Sequence, residues 1–171
     1  SNCHLCPLSK SRTNVVFGEG SINAEVLFVS EAPTTAEDSV GRPFAGRTGE
    51  LLSNMIEKVL LVPRAEVYVT HIVKCHPPSN RTPSATEAHI CLSYLQKQIE
   101  SIGPKLIVTL GESAYHYLTG DETPMADIRG TVQKRANYSI IPTLSPSYLL
   151  RNPSAKKDVF VDMKLVKSLM S

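Results

Sequence analysis

The stretch SEAPTTAEDSVGRPFAGRTGELL, residues 30–52, sets what this chain can fold into. It follows AEVLFV, an apolar run of strand length, and leads into LLSNMIEKVLL, whose apolar residues recur at helical spacing. Between the two lie Pro33, Gly41, Pro43, Gly46 and Gly49, which break both regular structures and predict a long loop. A strand, a loop at its carboxyl end and then a helix is the opening unit of an open α/β sheet, and such sheets bind ligands where these loops gather. The loop carries a carboxylate near the strand exit (Glu31), an acidic pair (Glu37, Asp38) and one aromatic, Phe44. A carboxylate beside an aromatic suits hydrolysis of something flat. A surface loop with a solvated acidic pair is the plainer alternative.

The remaining pattern repeats that unit. Residues 24–30 read as the first central strand and 49–61 as its helix. VYVTHIVKC, 67–75, is apolar and β-branched, a second strand reached by a right-handed crossover. A helix is expected over 86–101, with Thr82 or Ser84 as its cap. LIVTL, 106–110, is a third buried strand, followed by a short helix that stops at Gly120. His116 on that helix reads as a half-buried structural histidine. Residues 121–138 suggest a loop with a short hairpin, and 139–144 a fourth strand. Upstream, NVVF at 14–17 reads as a short strand and GEGS as a turn. The last segment is an amphipathic covering helix with Phe160, Met163, Val166 and Leu169 on one face.

Two further loops carry chemistry. HPPSNRTPS, 76–84, has three prolines and holds Asn80 and Arg81. An Asn amide both donates and accepts, so it can read a base edge, or it can simply make a turn. SPSYLLRNPS, 145–154, reads as a loop that places Tyr148, Leu149 and Leu150 together. Such side chains are either tucked inward or used as a wedge between base steps, and Arg151 beside them can hold a phosphate.

At 171 residues the chain fits a single domain spanning 1–171, with enough apolar content for a core. Its formal charge of +2 excludes a broad cationic stripe, so any nucleic-acid contact must be a local patch. The absence of tryptophan argues against a stacking platform for long single strands. No apolar run approaches the roughly 18 residues of a membrane span, and the polar opening SNCHLCPLSK lacks a secretory core. The expected setting is the reducing cytoplasm. There, disulfides are not expected of the four cysteines. Cys3 and Cys6 form C-x2-C, and Cys75 and Cys91 are separated by fifteen residues. Four thiolates point to a metal centre, zinc or an iron–sulfur cluster, and spacing alone does not choose between them.

Four blocks, taken together, resemble a known family. They are CHLCPLSKSRTNVVFGEG at 3–20, EAPTTAEDSVGRPFAGRTGELL at 31–52, KCHPPSNRTPSATEAHICLSYLQKQI at 74–99 and TLSPSYLLRNPS at 143–154. In this order they resemble the iron–sulfur, family 4 uracil-DNA glycosylases and the related glycosylase-like domains of phage DNA polymerases. The resemblance implies a three-layer α/β/α sandwich around a four-stranded parallel sheet. It implies a structural [4Fe–4S] cluster on Cys3, Cys6, Cys75 and Cys91, with zinc the lesser alternative.

It also implies roles. Glu31 matches the acidic position that orients or activates the attacking water. Phe44 matches the aromatic that stacks on the flipped base, and Asn80 the amide that pairs with the uracil edge. The backbone of Ala32, Pro33 and Thr34 would face the base. Ser147 and Arg151 would pinch phosphates, with Tyr148 and Leu149 as the duplex wedge. Two positions depart from the family pattern. Its glycine–glutamate–alanine–proline–glycine motif is here Ser30-Glu31-Ala32-Pro33-Thr34, with both glycines replaced. The histidine before Pro-Ser, which would donate to uracil O2, is here Ser145. A Cβ at 34 would crowd the base, and a short neutral hydroxyl at 145 would be a weaker donor. Loss of such a donor costs on the order of 10²–10³ in rate.

The expected activity is hydrolysis of the N-glycosidic bond of uracil, or of a close relative, after base flipping, at a reduced rate. The alternative is a glycosylase-fold module that grips DNA for a replication or polymerase partner without cleaving. A bare iron–sulfur redox sensor is a third reading, weakened by the lack of a second redox centre. The partners expected are uracil-containing DNA and a DNA polymerase or replication protein, with no membrane, for a monomer.

Overall fold

The computed structural model describes residues 18–75 and 83–170. Its strands are β1 Glu19–Gly20, β2 Val26–Ser30, β3 Tyr68–His71, β4 Leu106–Leu110, β5 Gln133–Lys134 and β6 Ser139–Thr143. They form one six-stranded sheet in the order β1-β3-β2-β4-β6-β5. The inner four, β3-β2-β4-β6, run parallel. The outer two are antiparallel to their neighbours, β1 to β3 and β5 to β6. The four-stranded parallel sheet is thus the centre of a wider mixed sheet. The β5 edge is the short hairpin expected within 121–138, whereas β1 escaped the sequence because a two-residue strand shows no periodicity. GEGS in particular contributes β1 and not only a turn. Gly20, at φ 136°, sits so close to β3 that a Cβ there would lie 1.9 Å from the Val67 carbonyl oxygen.

Alternation along the strands builds two separate cores. Leu27 and Val29 of β2, with Ile107 and Ile140, face Leu95 and Ile99 of α3 (Ala85–Ile102) and Tyr115 of α4 (Glu112–Thr119). Val26 and Phe28, with Val108 and Ile141, face the other layer. That layer is α2 (Gly46–Met55), its wider π-type continuation Ile56–Leu60, and α7 (Lys156–Leu169). Strands covered on both faces read as continuous apolar runs, which is why 106–110 is legible residue for residue. Among the described residues, no helix is long and apolar enough to cross a membrane.

Several expectations need correction. The breaker-rich stretch after β2 contains a helix, α1 (Thr35–Val40), started by Thr34 and stopped by Gly41 at φ 78°. Residues 146–151 are not loop but helix α6 (Pro146–Arg151), with Ser145 as cap and proline in the first turn, where its missing N–H costs nothing. Strand β3 ends at His71, although Ile72 and Val73 still donate backbone N–H bonds to the Ser30 and Glu31 carbonyls. On α7 the buried face is Val159, Asp162, Met163 and Val166, while Phe160 is exposed and lies under the Lys164 ammonium at 4.6 Å. A strict three-residue step drifts around a helix of 3.6 residues per turn, so the 160–169 stripe could not stay on one face. Residues 121–138 include a short helix, α5 (Met125–Ile128), before the β5–β6 hairpin. The expected strand at 14–17 lies outside the described residues.

Candidate active site

A cavity of about 650 Å³ opens at the carboxyl ends of β2, β4 and β6. Glu31 and residues 32–34 leave β2 into it, Gly111 follows β4, and Ser145 follows β6. Arg47 and Thr48 from the first turn of α2 form one rim, and Ser147 and Arg151 of α6 another. This is where the strand exits of a parallel sheet concentrate loop residues and helix starts.

Glu31 is half-buried, its backbone carbonyl held by the Val73 N–H at 3.1 Å. Its carboxylate takes no hydrogen bond from a described residue, and Glu31 lines the cavity. Thr34 lines the cavity and also caps α1, accepting from the Glu37 N–H at 3.3 Å. Ser145 lines it too, with Oγ accepting the Tyr148 N–H at 3.2 Å. Gly111 faces it, and a Cβ on that glycine would come within 3.4 Å of the Ser145 Cβ. Glu112 lies in the same wall and accepts the Met125 N–H at 2.8 Å, tying α4 to α5. Arg47 and Arg151 are both exposed, without an ion pair among the described residues. Exposed guanidinium groups at a cavity mouth can each hold a phosphate.

The acidic pair is not solvated. Glu37 and Asp38 are both buried, and Glu37 Oε2 lies 2.6 Å from His71 Nε2, with both side chains 1% exposed. Burial pushes the Glu37 carboxyl up, but attraction to His71 and hydrogen bonds from His71, Phe44 and Thr34 outweigh it and hold the group below its ordinary range. Phe44 adopts a left-handed backbone, φ 56°, and its ring lies 5.0 Å from that of His71. Arg64 fixes this bend by donating to the carbonyls of Pro43 at 2.7 Å and Phe44 at 3.2 Å.

The structure therefore brings Glu31, residues 32–34, Ser145, Ser147 and Arg151 to one cavity. It does not bring Phe44 there. That side chain is buried and borders a second cavity of about 380 Å³, with Gly49, Ser53 and Arg64. Tyr148 is exposed on α6, outside the cavity lining. Leu149 is fully buried among Val159, Met163 and Val166, so as a wedge it is corrected: α6 is helical, and its register turns Leu149 into the core. Asn80, Arg81, Cys3 and Cys6 lie outside the described residues. Arg47 and His71 went unnoticed in the sequence. The pattern Thr-x-x-Glu at 34–37 is a capping-box signal for α1, and the box is present.

Half of the expected metal-ligating set is described. Cys75, just beyond β3, and Cys91 on α3 are buried in one apolar cluster. Two thiols brought together from two elements suit a soft, thiolate-bound centre. Among the described residues, no group of three or more His, Cys, Asp or Glu could hold a metal. Beside Cys75, the wholly buried Lys74 donates to Thr70 Oγ1 at 2.5 Å, the His71 carbonyl at 2.6 Å and Gln98 Oε1 at 2.7 Å. Burial pushes its pKa down to about 7, against the opposing effect of Cys91.

Sequence comparison gives this geometry a context. The family described as Uracil DNA glycosylase superfamily matches residues 17–164. A Type-4 uracil-DNA glycosylase of Thermotoga maritima is 41% identical over 172 residues, covering 98% of this chain and 89% of its own. One from Sulfurisphaera tokodaii is 40% identical over 176 residues, 98% and 80% of the two chains. A DNA polymerase of Bacillus phage SP01 is 29% identical over 153 residues, which is 90% of this chain and 16% of the polymerase.

Proposed function

The chain belongs to the uracil DNA glycosylase superfamily, and from that premise we propose that it excises uracil from DNA by hydrolysing the N-glycosidic bond. The observation that carries the reading is the single cavity at the strand ends holding Glu31, residues 32–34 and Ser145, with Arg47 and Arg151 at its mouth. The target nucleotide must leave the stack, at a cost of roughly a few kcal/mol. Phosphate contacts from Arg151 and Ser147, and the exposed Tyr148 ring against the duplex, offset that cost. The base enters the cavity against the backbone of residues 32–34, and Asn80 reads its edge. Phe44, buried and outside that lining, is given no contact with the base.

The C1′–N1 bond breaks with its electron pair leaving on uracil, and positive charge gathers on the sugar. The Glu31 carboxylate stabilises that charge and orients a water. The water oxygen bonds to C1′, its proton passes to Glu31, and the uracil anion is protonated from solvent. Ser145, just beyond β6, offers its hydroxyl to the departing base, and its oxygen also caps α6. Donors aimed at such developing charge are the largest single catalytic contribution in many enzymes, so this site runs slowly. Cys3, Cys6, Cys75 and Cys91 would hold a [4Fe–4S] cluster. Bound there, it would join positions 3 and 6 to Cys75, just beyond β3, and Cys91 on α3, a structural and not a chemical contribution.

The test is incubation with uracil-containing oligonucleotides, single- and double-stranded, followed by alkali. Strand breaks at uracil that vanish in Glu31→Ala support the reading. The match to a segment of a phage polymerase favours a second reading, a non-cleaving DNA-binding module of a replication assembly. That reading requires tight binding of uracil-containing DNA, or of a polymerase, with no base release.

A further inference from the structure

One carboxylate buried behind the cavity ties together the segments that build it. Glu37 Oε1 accepts from the Thr34 backbone N–H at 3.3 Å and from Thr34 Oγ1 at 3.1 Å, closing the turn that forms the cavity wall. Its Oε2 accepts the Phe44 N–H at 2.7 Å, holding the bend that feeds Ala45, Arg47 and Thr48 into the rim. The same oxygen meets His71 Nε2 at 2.6 Å, at the end of β3. The next residues, Ile72 and Val73, bond to the backbone of Ser30 and Glu31. His71 Nδ1 has no hydrogen-bond partner among the described residues, so Nε2 carries the proton given to Glu37. The His71 ring lies against Phe44, tilted by 31°.

We propose that His71 is a positioning residue for base excision: by donating to Glu37 it locks the 31–34 turn and the Phe44 bend into one rigid wall. The inference rests on the uracil-excision reading and adds residues that touch no substrate. Its logic is that of a hydrogen-bond hub. A carboxylate has room for several donors, and Glu37 uses both oxygens on three chain segments, adding the Phe44 bend to a turn and a strand end that backbone bonds already join. Removing the His71 donor leaves a buried carboxylate short of a partner, and the wall loosens although the core is intact. A misplacement of about an ångström in such a wall can cost on the order of 10²-fold in rate. Arg151, Ser147 and Tyr148 sit on α6, which none of the hub's hydrogen bonds touches, so their grip on DNA is kept, and of the groups offered to phosphate only Arg47 follows a segment that the hub holds.

Two variants separate hydrogen bonding from packing. His71→Phe keeps a ring against Phe44 but removes the donor; His71→Gln removes the ring but keeps an N–H of similar reach. Single-turnover uracil release and DNA affinity are measured on folded protein. The expected result is a loss of at least about tenfold in rate for His71→Phe, with affinity within about threefold of wild type, and a rate within about threefold for His71→Gln. A folded His71→Phe protein with the wild-type rate overturns the proposal. If His71→Phe does not fold, His71→Gln decides alone: a rate within about threefold supports the proposal and a loss beyond about tenfold overturns it. Hydrogen exchange at the Thr34 and Phe44 amides is read in parallel on the same proteins. Absence of uracil release by wild type defeats the functional reading, whereas equal amide protection in wild type and His71→Phe defeats the hub by itself.

Discussion

Ser145 Oγ accepts the Tyr148 backbone N–H at 3.2 Å, so the residue standing where the resemblance expects a histidine is the cap of α6. Replacing it pits catalysis against folding. Ser145→His supplies a longer donor toward the departing base and should raise single-turnover release at least about tenfold, roughly 1.4 kcal/mol of barrier. It also removes a cap, which costs about 1 kcal/mol of stability. A rate assay and a thermal melt on the same protein check both halves, and an unchanged rate means that the site does not lack this donor.

Thr34 is the parallel case at the other wall. Its side chain occupies the cavity edge while capping α1 in a reciprocal box with Glu37. Glycine is itself a tolerable cap and costs only about a few tenths of a kcal/mol, whereas alanine costs about 1 kcal/mol. Thr34→Gly should therefore quicken uracil release with little loss of stability. Thr34→Ala keeps the Cβ and should lose stability with no gain in rate. Equal rates for the two would show that the Cβ does not crowd the base.

The contrast between these caps and the strands explains what the sequence discloses. Strand β4 and the Gly120 stop of α4 are legible because a buried parallel strand is an unbroken apolar run and a left-handed cap favours glycine. The short helices α1 and α6 are hidden, since their prolines and flanking glycines count as breakers unless Thr34–Glu37 and Ser145–Pro146 are recognised as helix starts. The gathering of Glu31, Ser145 and Arg151 at one cavity follows from strand order, which motif order suggests only through resemblance. The burial of Glu37 is not legible at all. Its partner His71 lies 34 residues away, and an acid among glycines and prolines reads as solvated.

The register of α6 predicts opposite outcomes for adjacent residues. Leu149 is fully buried, so Leu149→Ala should destabilise the fold by about 2–5 kcal/mol without changing the DNA affinity of the folded fraction. Tyr148 is 40% exposed, and Tyr148→Ala should weaken duplex binding with little effect on stability. Arg151→Ala should weaken binding and reduce the salt slope by about one unit. Denaturant melts and salt titrations of DNA binding separate the three, and a stability loss at 148 with none at 149 would reverse the assigned register.

Glu37 makes the fold sensitive to acid. Its carboxyl is held below the ordinary value of 4.5, because His71 and the bonds from His71, Phe44 and Thr34 outweigh the upward push of burial. A depressed carboxyl stabilises the native state fully above its unfolded pKa and loses that contribution as pH falls through its folded pKa. Stability should thus decline from about pH 4.5 downward, and Glu37→Gln, lower in stability at neutral pH, should show a flatter acid limb. Denaturant midpoints between neutral and acid pH check this. Parallel curves for the two proteins would mean that the acid limb belongs to other groups.

Cys75 and Cys91 lie in one apolar cluster with no disulfide between them, and two such buried thiols carry a prediction that needs no DNA. If they hold an iron–sulfur cluster with Cys3 and Cys6, protein purified without oxygen is brown and contains iron and sulfide. A thiolate-bound centre joining positions 3 and 6 to 75 and 91 closes a long stretch of chain, and crosslinks of that kind restrict the unfolded state most. Cys75→Ala and Cys91→Ala should therefore each lose colour, iron and thermal stability together. Cys3→Ala and Cys6→Ala should do the same, which a packing role for the two buried thiols would not produce. Metal analysis with melts on all four variants is the check. Colourless protein with stoichiometric zinc would replace iron by zinc at the same ligands, and metal-free protein of full stability would leave the four cysteines without a shared centre.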